Sequence, residues 1–102
     1  MAAYVIADVE VADPETFRRY RELAVPTVGQ YGGKALVVDG RFEVLEGSLR
    51  PKQLVVIEFE SMEQAKRWYE SQEYGQAMPL RQRSATTNLL LVEGLPETAT
   101  AQ

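Results

Sequence analysis

Between Tyr4 and Val11 the chain alternates with period two, placing Val5, Ala7, Val9 and Val11 on one side and Tyr4, Ile6, Asp8 and Glu10 on the other. This predicts a strand with one wholly apolar face and one mixed face. Asp13-Pro14-Glu15 then supplies a capping side chain, a proline suited to the first helical position and an acid for the first turn. Phe17, Tyr20, Ala24, Val28 and Tyr31 follow at three- and four-residue spacing and form one helical face. Pro26 has no N–H and its ring clashes with the turn before it, so a kink or a division is expected near Val25. Gly32-Gly33 is expected to end the helix through a left-handed cap.

Lys34 to Val38 reads as a second, short strand, and Asp39-Gly40 as a hairpin turn leading to a strand-like extension, Phe42-Glu43-Val44-Leu45-Glu46. After a loop from Gly47 to Lys52, Leu54-Val55-Val56-Ile57-Glu58-Phe59 has the strongest β-propensity of the chain. Ser61-Met62-Glu63-Gln64 matches a capping box, in which serine accepts from the N3 amide and glutamine reaches back. Ala65, Trp68 and Tyr69 give the second helix its buried stripe. Ser71 before Glu73-Tyr74 predicts a fresh N-cap, hence two short helices, with Pro79 making the latter less regular. Asn88 to Glu93 is the last strand, ended by Gly94 and Pro96.

The order β-α-β-β-α-β predicts an α+β, ferredoxin-like fold: a four-stranded antiparallel sheet, spatial order 4-1-3-2, with the helices on one face. Residues 1–95 make one domain and residues 96–102 a loose tail. The apolar faces of the two central strands meet the helices. Tyr4, Ile6, Leu54 and Val56 are then left on an open sheet face, an apolar patch that a homodimer with two-fold symmetry would cover.

Composition narrows the chemistry. The net charge of -4 offers no basic footprint for nucleic acid. With neither cysteine nor histidine, the chain has no thiolate nucleophile, no histidine-based triad and no histidine-ligated haem, and only carboxylate-rich sites for hard cations remain conceivable. No metal and no cofactor is expected. The first residues lack a basic leader pattern and no apolar run approaches the ~18 residues of a membrane span, so no membrane role and a cytoplasmic setting are expected.

Asp13-Pro14-Glu15, Tyr31-Gly32-Gly33, Val44-Leu45-Glu46-Gly47, Arg50-Pro51, Val56-Ile57-Glu58-Phe59, Trp68-Tyr69 and Ser71-Gln72-Glu73-Tyr74, in this order over nearly the whole chain, resemble the uncharacterised "domain of unknown function 1330" family. The resemblance implies the dimeric α/β-barrel superfamily, in which two ferredoxin-like sheets associate. That superfamily spans cofactor-independent monooxygenases, haem enzymes, lactone isomerases and small binding domains, so the resemblance implies no single activity. Members often carry a histidine in the first strand where this chain has Asp8, a departure that argues against any histidine-dependent activity.

The candidate catalytic residues are Asp8 and Glu58, which share the mixed face of adjacent strands. Carboxylates crowded together there would raise one pKa and make an acid/base pair, whereas solvated or ion-paired carboxylates would do no chemistry. Arg50, beside Pro51, and Arg81 or Arg83 are candidate carboxylate binders, against a role as surface ion pairs. Tyr20, Tyr31, Trp68, Tyr69 and Tyr74 are candidates to line a pocket for a flat or aromatic molecule, with Tyr31 and Trp68 foremost, against plain core packing. Two functions of different class follow. One is a small enzyme acting on a small apolar or aromatic molecule by carboxylate acid/base chemistry. The other is a non-catalytic dimeric ligand-binding or regulatory module.

Overall fold

The computed structural model describes residues 1–96, so the expected tail beyond Pro96 lies outside the described residues. Strand β1 (Ala3–Val11) lies between β3 (Gln53–Phe59) and β4 (Ala85–Glu93), and β2 (Lys34–Val38) borders β3. All three pairings are antiparallel, and the order β2-β3-β1-β4 is the one expected from the chain pattern. Tyr4 stands opposite Glu58 and Val92, Val9 opposite Gln53 and Thr87, so the period-two alternation carries across the sheet. Ala3, Val5, Ala7 and Val9 are buried beneath the helices. Tyr4, Ile6, Leu54, Val56, Leu90 and Val92 lie on the opposite face, which no element of the described chain covers.

Helix α1 (Pro14–Gln30) begins as expected: the Asp13 carboxylate accepts from Thr16 N at 3.2 Å and from the Thr16 hydroxyl at 2.7 Å. Pro26 does not divide it. The proline sits on the exposed side, where the Glu22 carbonyl it leaves unpaired meets water, and helix continues to Gln30. Gly32, at φ +77°, ends the helix as a left-handed residue, with Gly33 N–H donating to the Val28 carbonyl at 2.8 Å. A side chain at Gly33 would collide with the Phe59 ring, its Cβ lying 2.7 Å from Cε1.

Helices α2 (Met62–Tyr69) and α3 (Gln72–Ser84) are separate, each capped by a serine: Ser61 accepts from Gln64 N and Ser71 from Tyr74 N, both at 3.0 Å. The expected capping box is half made. The Gln64 amide donates instead to the Tyr31 carbonyl at 2.8 Å, tying α2 to the end of α1. Phe59, Trp68 and Tyr74 form the largest buried aromatic group, with Trp68 and Tyr74 ring centroids 4.3 Å apart. Burial of each is worth about 1.5–3 kcal/mol by transfer alone.

The hairpin expected over Phe42–Glu46 is absent. Asp39 adopts φ 54° and its N–H donates to the Leu54 carbonyl, after which the chain runs without strand or helix to Lys52. β2 carries a bulge between Ala35 and Val37. Such a bulge bends and twists the edge, ending the ladder before a further strand can join it.

Candidate functional site

Asp8 and Glu58 both project to the open face, but the register keeps them apart. Asp8 pairs with Leu54 and Glu58 with Tyr4, four residues along the strand, a separation of about 13 Å. The expected acid/base pair is therefore not assembled within the chain. Each carboxylate has its own partner: Asp8 Oδ1 accepts from Lys52 N at 2.8 Å and Glu58 Oε2 from the Tyr4 hydroxyl at 3.3 Å. Arg50 is exposed in the β2–β3 connection, donating to the Leu49 carbonyl at 2.9 Å, and does not line the space between α1 and the sheet. Tyr31 caps α1 at the surface. Its hydroxyl donates to Glu73 Oε1 at 2.9 Å, a bond that holds the phenol above the ordinary tyrosine value and would be lost on ionisation.

Trp68 and Arg81 have a different setting. Between α1 and the sheet lies a cavity of about 340 Å³. Val5, Ala7, Val9, Val55, Ile57 and Leu89 form its floor, and Phe17, Tyr20, Ala24 and Val28 of α1 its roof. Trp68, Tyr74 and Arg81 close one side. The floor is the apolar face predicted from period-two alternation. The small residues Ala7 and Ala24 leave space that larger side chains would fill.

The polar groups of this cavity form one chain. Arg81, only 8% exposed, donates from Nε to the Tyr74 hydroxyl at 3.3 Å, and the Tyr74 and Tyr20 hydroxyls are 2.8 Å apart. Burial, reinforced by Tyr74, pushes the Tyr20 phenol far above the ordinary tyrosine value, so it stays protonated and able to donate. Among the described residues no carboxylate pairs with Arg81. A buried guanidinium facing an apolar cavity with a tyrosine hydroxyl rather than a carboxylate beside it is costly unless an anionic or strongly accepting group joins it.

Arg21 stands at the boundary between this cavity and an outer groove lined by Val11, Pro14 and Gln53. Its guanidinium lies 5.1 Å from the Phe17 ring centroid and pairs with Asp39. The same contact ties α1 to the start of the β2–β3 connection. Asp39 is the lone carboxylate bordering either space among the described residues. No group of three or more carboxylates suited to a metal ion occurs among those residues, and none of their helices is long and apolar enough to cross a membrane.

Sequence reasoning thus placed Trp68 and Arg81 at the pocket but overlooked Arg21 and undervalued Tyr20 and Tyr74. A readable signal existed: Tyr74, Ala77, Arg81 and Ser84 are the buried stripe of α3, and a cation at a stripe position is out of place in a plain core.

The family model described as "Domain of unknown function (DUF1330)" matches residues 2–95. The chain belongs to that family. A solved protein of unknown function from Rhodopseudomonas palustris, RPA0582, superposes with TM-score 0.75 at 19% identity, over 93% of this chain and 83% of that one. SnoaB from Streptomyces nogalater, described as a cofactor-independent oxygenase, superposes with TM-score 0.60 at 12% identity, over 97% of both chains. HapK from Hahella chejuensis gives TM-score 0.61 at 13% identity, covering 98% of this chain and 99% of that one. At such identities these likenesses establish the fold alone, a ferredoxin-like α+β arrangement. No curated protein matches the sequence.

Proposed function

We propose that this DUF1330 protein takes up a small, mainly apolar or aromatic molecule bearing one acidic or enolate-type oxygen, held in the cavity between α1 and the sheet with that oxygen on Arg81. The observation that carries the reading is the burial of Arg81 in an apolar cavity without a carboxylate partner. Tyr20 keeps its proton, and the Tyr20 and Tyr74 hydroxyls extend the polar set beside Arg81, so the same groups that bind an anion would stabilise negative charge developing on a substrate oxygen. The fold shared with a cofactor-independent oxygenase is in keeping with chemistry of that kind, though fold alone carries little weight. Asp8 and Glu58 lie outside this cavity, so the carboxylate acid/base version of an enzyme has less support than oxyanion stabilisation by Arg81.

Calorimetric titration with small aromatic carboxylates and their neutral amides tests the reading. Binding of the acids in preference to the amides, abolished in Arg81→Met, is the expected result. Equal binding of acid and amide, or no loss in Arg81→Met, would overturn it.

The open sheet face, with Leu90 59% exposed beside Val92, Ile6 and Val56, supports a second part of the reading: the working form is a homodimer joined through this face. Sedimentation velocity at micromolar concentration tests it, and a monomer there would defeat it.

A further inference from the structure

We infer that residues 41–50 form an arm that docks on the open sheet face of a second copy of this chain; the inference rests on the homodimer reading above and assigns a role to a segment that reading leaves idle. Phe42-Glu43-Val44-Leu45-Glu46 has the composition of a strand, yet among the described residues no strand pairs with it and no backbone-to-backbone hydrogen bond involves residues 40–51. Its apolar side chains are equally unpartnered. Leu45 is 87% and Leu49 71% exposed, and Phe42 and Val44 are exposed as well. Large apolar side chains clustered on one projecting segment, beside an apolar sheet face, make a patch of the sort that marks an interface.

Position selects the occupant. The connection leaves β2 on the helix side, where Asp39 holds Arg21, and returns on the other side, where Lys52 N–H meets the Asp8 carboxylate of the open face. The arm therefore rounds the end of the sheet and is continuous with that face. The arm's charges balance internally, Arg41 lying 3.8 Å from Glu43 and Arg50 offsetting Glu46, so its contact with that face is an apolar one made by Phe42, Val44, Leu45 and Leu49. A two-fold contact sets each arm against the partner's face, so that both apolar surfaces are covered in one isologous interface.

The test uses the full chain. Sedimentation over a dilution series gives the dimer dissociation constant for the wild type, for Leu45→Asp with Leu49→Asp, and for Leu90→Asp. The arm variant, altered only at exposed positions, should keep its circular dichroism and weaken the dimer at least tenfold. An unchanged dimer in the arm variant, together with dissociation in Leu90→Asp, would overturn the arm while leaving the sheet-face dimer standing. A monomeric wild type would overturn both.

Because the chain has no cysteine, Leu45→Cys adds a second readout. Its maleimide labelling should be slow in concentrated solution and accelerate on dilution. A rate independent of protein concentration would also overturn the arm, including the case in which the segment serves an unrelated partner.

Discussion

The Trp68 indole N–H donates to the Thr27 hydroxyl at 2.9 Å, and that hydroxyl donates onward to the Ala24 carbonyl at 2.6 Å. All three residues are buried, so α2 is locked to α1 by a polar relay with no access to water. Thr27→Val keeps the shape and removes the acceptor, leaving the indole N–H unpaired. The expected loss is about 1–3 kcal/mol in urea unfolding, with Thr27→Ser recovering most of it. A loss below half a kcal/mol would mean that the relay contributes nothing.

Arg81 sets stability against binding. Replacing a buried, unpaired cation by an apolar side chain of similar length relieves desolvation, so Arg81→Met should be as stable as the wild type or more stable by about 1 kcal/mol. Thermal unfolding without ligand checks this. A loss of several kcal/mol would identify Arg81 as a structural tether of Tyr74 instead.

The Tyr20 phenol gives a pH dependence whose sign is fixed. Its pKa is raised in the folded protein, so above the ordinary tyrosine value of about 10 the unfolded chain releases a proton that the folded chain keeps. Its contribution is complete below pH ~10 and falls as pH rises further, by up to about 1.4 kcal/mol per pH unit. Denaturant midpoints should drop in that range, and less steeply in Tyr20→Phe. Parallel curves for the two proteins would show that other groups govern alkaline unfolding.

The two glycines after α1 differ in kind. At Gly32 an added methyl finds open space and meets only the left-handed backbone, so Gly32→Ala should cost about 1 kcal/mol. At Gly33 the methyl overlaps Phe59 and Val28, and overpacking of this sort costs about 1–3 kcal/mol. Chemical denaturation of both variants should rank Gly33→Ala as the more damaging.

How much of this could be read from residues alone depended on whether the signal was local. The period-two faces of β1 and β3, the caps at Asp13, Ser61 and Ser71, and the glycine stop after α1 are decided within a few residues, and all were legible. Pro26 misled because its effect depends on which side of α1 faces solvent, a tertiary property. Phe42–Glu46 misled because a strand needs a neighbour as well as propensity. At the candidate site, the shared face of Asp8 and Glu58 was legible while their offset was not, since register is set by pairing between strands. Tyr20, Tyr74 and Arg81 come together only through helix packing, and patterning gave just their sides.

The space beneath α1 also bears on how the molecule answers compression. An unfilled interior makes the folded form bulkier than the hydrated unfolded chain, since water occupies that volume once the chain opens. Squeezed hydrostatically, this protein should therefore give way sooner than a solidly packed relative, and an occupant lodged against Arg81 should delay the collapse. The emission of its single tryptophan, set against the Tyr74 ring, would report both.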